Sequence, residues 1–455
     1  MIVLGLYCGH DASACVLIDG RISSFIEKER ISRQKHAAVV DISLIYYALE
    51  DAGVTLEEID YVASTTTQNI PIVFTDPERF SFDIDEVISP SVNIYDHRMI
   101  DQFKKYREDT GRLKFAEHRL NLLQNSQSAK IFPSIDFSKA RSIYVKNFII
   151  HPSTFKNRRE TTSLLNLSPQ SIKEYISKSH PYHVPISVLI DGKKFPGALF
   201  PHHFSHAAVA HYQSGKSRTA ILTVDNGYQD IWGGYTGGLY CIGDNENVHV
   251  LAANYGYQGN VYNNMGRRLG WDAMGAAGKL MGLAPYGTPK YYKPTMIGNL
   301  YDNDPRPENF IFNGFETTDS WWSEIKQEHN KYHKMQFENE FGLNPLATSV
   351  AASAQIFYEN QTLHFATTLK ILTDRIGHRL DALCLSGGGA LNCPANSLLH
   401  RSGRFPEIFV PPSVDDSGLA LGAAYLLTHH VFKLPRTEHN PYSSSSAYLG
   451  RSWSK

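Results

Sequence analysis

The stretch FPHHFSHAAVAHY places His202, His203, His206 and His211 within ten residues of a 455-residue chain that carries only 20 histidines. They read either as a metal site or as the rim of an ordinary helix. His202 and His206 stand four apart, so on a helix both rings project from one face within reach of a common ion. Such pairs also arise by chance, and spacing alone leaves both readings open. Two carboxylates favour the metal: Asp225 closes the apolar run TAILTVDNG, and Asp416 lies in VDDSGLALG ahead of an apolar helix. Two imidazoles with one or two carboxylates suit Fe(II), Zn(II) or Mn(II), with positions left for substrate. His203 lies one residue off that face, in reach of the ligands or of substrate. His211 is expected to act as a helix C-terminal residue on the dipole.

Three further stretches could do chemistry. In CLSGGGALNCPAN, Gly387, Gly388 and Gly389 separate a buried strand from a helix starting near Leu391. Glycines there let backbone amides approach a phosphate or a sugar edge, although a tight connection uses the same residues. In MGAAGKLMGLAPYG, Gly275, Gly278 and Gly282 surround Lys279. The helix either needs small residues for a close crossing or presents Lys279 to a nucleotide. In GHDASA, His10 and Asp11 occupy a tight turn that Gly-Asn would make more simply. His10 is a candidate general base, against the alternative of an Asx turn with an exposed imidazole.

These residues need elements to position them. The N-terminus reads as strand, turn, strand, turn, strand, then a helix over DISLIYYALEDAGV with Leu44, Tyr47, Ala48 and Ala52 on one side and Gly53 as its stop, then the strand IDYVAST. TAILTVDNG followed by IWGGYTGGLYCIG repeats the opening in pattern, which implies two related lobes. Later strands alternate with helices, giving an α/β class. The first lobe spans 1–215 with an insertion at about 70–190, and the second spans 216–435 with an insertion at about 290–345. The serine-rich 436–455 reads as a linker-like tail.

Composition is globular, with 42% hydrophobic, 20% charged and 12% aromatic residues. No apolar run reaches the ~18 residues of a membrane span, and the apolar start lacks a basic n-region, so no membrane association is expected. Five cysteines without a C-x-x-C pair point to reduced thiols and a cytoplasmic setting rather than a cysteine metal site. A net charge of −1 speaks against nucleic acid as a partner. Residues 98–160 depart from this, with 14 Lys/Arg against 6 Asp/Glu. That segment reads as a solvated basic surface or as a dock for an anionic substrate or RNA.

Taken together, GHDASACVLIDGRISSFIEKERISRQKHAA, HHFSHAAVAHYQSG, AGKLMGLAPYG, GGGALNC and DSGLALGAAY occur in the order found in the O-carbamoyltransferase family, which includes the nodulation-factor, cephamycin and tobramycin enzymes. The resemblance covers most of 1–67 and 195–430. It implies a two-lobed, duplicated fold of the actin, sugar-kinase and heat-shock ATPase type. It also implies a carbamoyl-adenylate, made from ATP and carbamoyl phosphate, whose carbamoyl group passes to a hydroxyl of a small-molecule acceptor. On this resemblance His202, His206, Asp225 and Asp416 hold a divalent transition metal, Fe(II) first. Gly275, Lys279, Gly387, Gly388, Gly389 and Asn392 line the nucleotide cleft, and His10 and Asp11 line the transfer site.

The family usually continues into a YrdC-type domain that makes the carbamoyl-adenylate. The sequence stops where a linker to it would begin, so a separate adenylate-forming protein is an expected partner. The alternatives are a relative of the tRNA threonylcarbamoyl transferases, against which HHFSH stands in place of H-M-E-G-H, and a non-catalytic nucleotide-binding subunit.

Overall fold

The computed structural model describes residues 1–67, 72–83, 140–143, 168–170, 173–174, 183–226, 228–229, 235–254, 258–272, 275–294, 314–331 and 343–436. Most of the basic segment 98–160 and nearly all of the tail 436–455 lie outside them.

Apolar runs without alternation suit strands buried on both faces, and IVLGLY, RTAILT and ALCLS form the centres of two sheets. The first sheet runs in the order Arg21–Glu27, Ser13–Ile18, Ile2–Tyr7, Tyr61–Thr65, Lys193–Phe200, Val184–Ile190, Phe80–Asp83. The second runs Asn247–Asn254, Gly238–Asp244, Arg218–Thr223, Ala382–Ser386, Ile408–Phe409. In both, the first three strands are antiparallel neighbours. The fourth and fifth then add in parallel. The second sheet therefore repeats the first five strands of the first, which is the duplicated, two-lobed α/β fold expected from the sequence. Two stretches of the 70–190 segment, Phe80–Asp83 and Val184–Ile190, extend the first sheet by two strands.

The halves interlock through their last helices. His202–Gln213 follows the fifth strand of the first half and packs on the second sheet; Leu419–Tyr425 follows the fifth strand of the second half and packs on the first sheet. The two helices also touch each other. Gly422 permits this contact, because a Cβ there would stand 2.2 Å from the Ser205 carbonyl oxygen. The layer between the sheets joins Phe204, Ala207, Ala208, Leu419, Ala420 and Ala423 with side chains of both sheets.

The early helix forms over Ile42–Ala52, capped by Asp41 at its start and ended by Gly53 at φ 70°. Its buried side is Leu44, Ile45, Ala48 and Leu49, while Tyr47 and Ala52 sit half-buried at the margin. The helix from His202 is buried on every side and is no rim. Its last histidine departs from expectation. His211 is fully buried between Thr219 Oγ1 and the Asn245 carbonyl, both at 2.8 Å. Burial, with Arg436 nearby, holds that imidazole well below its usual range and so neutral. Arg436 supplies the cation at this helix end instead, donating to the carbonyls of His211 and Tyr212 at 3.3 Å. Among the described residues no helix is long and apolar enough to cross a membrane, and all five cysteines are free thiols.

Candidate metal centre and transfer site

The repeated topology places the reactive side chains. The loop after the first strand of each half supplies one group, His10 and Asp11 in one half and Asp225 in the other. The final helix of each half begins with a second group, His202 and His206 in one and Asp416, just ahead of Leu419, in the other. Because those helices cross between the sheets, all of these side chains meet at one spot.

His202 and His206 turn their Nε2 atoms toward Asp225 Oδ2 at 3.2 and 3.3 Å, and toward Asp416 Oδ1 at 3.4 and 3.3 Å. One ligand atom from each of the four residues lies within 4.8 Å of the others, and all four residues are buried. The far nitrogens fix the rings. His202 Nδ1 donates to the Thr66 carbonyl at 3.2 Å, and the Thr66 hydroxyl accepts from the His202 backbone amide at 3.1 Å. His206 Nδ1 lies 3.4 Å from Ser386 Oγ, whose own hydrogen goes to the Val414 carbonyl. An Nδ1 committed to a partner leaves Nε2 as the ligand atom, the usual arrangement behind a metal-bound histidine.

Two buried aspartates beside two imidazoles must be neutralised, by protons on the rings or by a cation between them. Burial pulls the His202 imidazole down, but Asp416 and Asp225 outweigh it and lift it to about 10. His206 is raised by the same two carboxylates against the pull of burial. Burial pushes both aspartates up, yet the histidines hold Asp225 and Asp416 well below the usual carboxylate range. A divalent cation would replace those protons with the same charge balance, and the four donors would suit a transition metal.

His10 lies beside this cluster. Its Nδ1 is 2.8 Å from Asp11 Oδ2 and its Nε2 is 3.2 Å from Asp416 Oδ2. Burial alone would lower it, but Asp416 and Asp11 raise it to about 9. The His10 side chain is 25% exposed while Asp416 is 6% and His202 and His206 are 0%, so His10 is the part-exposed group beside a buried cluster. Two residues that the sequence reading passed over complete the surroundings. Tyr7 donates to Asp416 Oδ2 at 2.6 Å, and His36 Nδ1 meets Asp11 Oδ1 at 2.8 Å. Tyr7 was hidden in an apolar strand, and the only sequence signal for His36 was its place at the end of the first shared motif.

The glycine turn adjoins the centre. Gly387 has φ 90°, which a side chain would resist, and a Cβ there would stand 2.4 Å from the Val224 carbonyl oxygen. Gly387 and Gly389 spend their amides on the Val414 and Val224 carbonyls, both at 2.9 Å. A Cβ on Gly388 would lie 3.4 Å from Asp225 Oδ1, so this glycine borders the metal side. Asn392 ends the turn with its amide engaged. Its Oδ1 accepts from Ala395 N at 3.0 Å and from Gln355 Nε2 at 2.8 Å, and its Nδ2 donates to Gln355 Oε1 at 3.1 Å.

Gly275 and Lys279 stand at the start of the helix Ala276–Leu283, which rests on Gln258–Arg268 and Pro345–Arg375. Lys279 is exposed, and a Cβ on Gly278 or Gly282 would meet only open space. A close helix crossing therefore does not account for those two glycines. Among the described residues no recorded hydrogen bond or ion pair joins Gly275 or Lys279 to the glycine turn.

Comparison with known proteins places the chain among relatives. Residues 83–425 match the family described as Carbamoyltransferase N-terminus. The chain is similar to an uncharacterized protein, sll1178, of Synechocystis sp., with 26% identity covering 97% of this chain and 59% of the relative. It is similar to the nodulation protein NolNO of Sinorhizobium fredii, with 25% identity covering 93% and 47%. It thus spans about half the length of these curated relatives. Among solved structures, full-length HypF in a phosphate- and nucleotide-bound form matches with 11% identity and a TM-score of 0.43, covering 94% of this chain and 55% of that one. The ROK hexokinase of Thermus thermophilus matches with 12% identity and a TM-score of 0.32, covering 93% and 98%. With the family match extending over three quarters of its length, the chain belongs to the carbamoyltransferase N-terminal family.

Proposed function

We propose that this chain transfers a carbamoyl group from carbamoyl-adenylate, the anhydride formed from ATP and carbamoyl phosphate, to a hydroxyl of a small-molecule acceptor. The observation that supports it most is the buried four-donor cluster with part-exposed His10 against it. His202, His206, Asp225 and Asp416 would hold a divalent transition metal, with Fe(II) the first choice and Zn(II) or Mn(II) the others. When bound, the metal supplies Lewis acidity for an oxygen of the reacting anhydride or alcohol.

In the transfer, the acceptor oxygen bonds to the carbamoyl carbon, the carbon–oxygen bond to phosphate breaks, and AMP leaves. The hydroxyl proton must go to a base. His10 is that group on this reading: Asp11 fixes its ring through Nδ1, and its Nε2 points to the metal side. A cation held by Asp416 would withdraw much of the charge that keeps the proton on His10 and would bring it toward the range of a neutral-pH base. The turn Gly387–Gly389 borders Asp225 through Gly388 and gives the nucleotide phosphate a side-chain-free approach. Gly275 and Lys279 extend this reading to the sugar end of the nucleotide. Asn392 serves it by bracing the turn.

The test supplies preformed carbamoyl-adenylate and a panel of hydroxyl acceptors to the purified, metal-loaded chain and follows AMP and carbamoylated product. Acceptor-dependent product from the wild type and none from His202→Ala is expected. Hydrolysis without transfer across acceptors and metals would overturn the reading.

A further inference from the structure

We propose that His36 is a positioning residue of the transfer site, holding Asp11 so that His10 is presented to Asp416; the inference rests on the transfer reading above. The contacts form a continuous chain. His36 Nδ1 meets Asp11 Oδ1 at 2.8 Å, Asp11 Oδ2 meets His10 Nδ1 at 2.8 Å, and His10 Nε2 meets Asp416 Oδ2 at 3.2 Å. With one imidazole on each oxygen, the Asp11 carboxylate cannot swing without breaking a bond to one of them. Without His36, Asp11 would keep one partner and could rotate, taking the His10 ring with it.

The backbone around His36 is costly to make and heavily held. Arg33, His36 and Val39 have φ of 58°, 57° and 68°, and Asp11 opposite has 59°. A left-handed β-branched valine is an outlier, and the left-handed conformation strains the other three residues as well. Lys28 secures the segment, its ammonium donating to the carbonyls of Ala38 and Val39 at 3.2 and 2.8 Å and pairing with Asp41 at 2.8 Å. Glu29 accepts from the His36 amide at 3.2 Å. Two backbone bonds stitch the segment to the His10 loop, Ala12 N to the Ala37 carbonyl at 2.9 Å and Val39 N to the Gly9 carbonyl at 3.2 Å. A connection that only joined a strand to a helix would need none of this. The strained conformation delivers the His36 ring to Asp11.

The role is that of a hydrogen-bond donor, so asparagine, whose amide nitrogen can occupy the place of Nδ1, should replace it where leucine cannot. In His36→Leu, kcat should fall about 10–100-fold, the usual cost of losing a group that orients a site residue, while KM for carbamoyl-adenylate and bound metal stay at wild-type values. His36→Asn should recover most of that loss. A His36→Leu kcat equal to wild type, or equal losses in both variants with matched melting curves, overturns the proposal.

A second readout needs no turnover. In metal-free protein, diethyl pyrocarbonate should acylate His10 faster in His36→Leu than in wild type or His36→Asn, because a loosened ring exposes a nitrogen. His10 is the single histidine of the tryptic peptide 1–21, so fragmentation mass spectrometry separates its adduct from those on the terminal amine, Tyr7, Cys8 and Cys15. Equal rates in all three proteins overturn the proposal even if no acceptor is ever carbamoylated. The expected ordering in a chain that transfers nothing would uphold the His36–Asp11–His10 linkage and remove only the transfer reading.

Discussion

The Tyr7 hydroxyl donates to Asp416 Oδ2 at 2.6 Å, tying the first strand of one half to the carboxylate that opens the last helix of the other. Tyr7 is buried, and burial together with Asp416 raises its hydroxyl well above the usual range, so it stays a donor. Asp416 also faces His10 through the same Oδ2 and His202 and His206 through Oδ1, so Tyr7 fixes which oxygen is left for His202 and His206. Tyr7→Phe keeps the ring and removes one charge-assisted hydrogen bond worth about 1.5–3 kcal/mol. Metal affinity should weaken about 10–100-fold, as for other partners that orient a ligand. Competition against a calibrated chelator checks this; unchanged affinity would show that Asp416 is held without Tyr7.

Metal occupancy is the more direct test of the centre. The wild-type chain, purified anaerobically and incubated with Fe(II), should bind about one ion per chain by elemental analysis. His202→Ala and Asp416→Asn should each abolish tight binding, whereas His203→Gln should leave a measurable fraction because its ring is not among the four donors. Full occupancy in His202→Ala would place the ion elsewhere.

How much of this was legible in the sequence depends on the distance over which each signal acts. His202 and His206 announce themselves by spacing within a single helix turn, and Gly387–Gly389 by their place after an apolar strand. Asp225 stands out at the end of the repeated strand, and Asp416 through its place ahead of an apolar helix and in the shared motif DSGLALGAAY. The interlocked helices, the Tyr7–Asp416 bond and the Asp11–His36 pair depend on which surfaces face each other, and no local pattern encodes that. His211 shows the same limit from the other side. A histidine in a last helical turn suggests a cation on the dipole, but burial against Thr219 keeps it neutral, and Arg436 takes that place from far along the chain.

The contact between the two ligand-bearing helices can be perturbed without touching a ligand. A Cβ at Gly422 would stand 2.2 Å from the Ser205 carbonyl oxygen, and backbone at that distance cannot yield by a side-chain rotation. Gly422→Ala should therefore push the helices apart and destabilise the fold by about 1–3 kcal/mol, the usual cost of overpacking. Because His202, His206 and Asp416 ride on these helices, metal affinity should fall with it. Gly403→Ala serves as a control for glycine loss away from the crossing, since nothing lies within 4 Å of its added methyl group, although its φ of 63° carries a backbone strain of its own. Thermal melts with and without metal distinguish the two. A Gly422→Ala protein that melts and binds metal as the wild type does would refute the tight crossing.

Acid stability supplies a prediction remote from the centre. His364, on the long helix Pro345–Arg375, is buried beside Phe365, and burial lowers its imidazole from 6.5 to about 4. The folded state thus holds this ring neutral, while the unfolded chain takes up a proton below about 6.5. Its contribution is fully present above that pH and is lost as pH falls from about 6.5 toward about 4, by up to roughly 3 kcal/mol. His364→Leu removes the titrating group and should flatten the stability profile across this window, leaving only the acid lability of other groups such as His183, which burial also lowers to about 4. Urea unfolding of both proteins at intervals between pH 4 and pH 7.5 measures the difference. Parallel profiles would mean that His364 is solvated enough to titrate normally in the folded state.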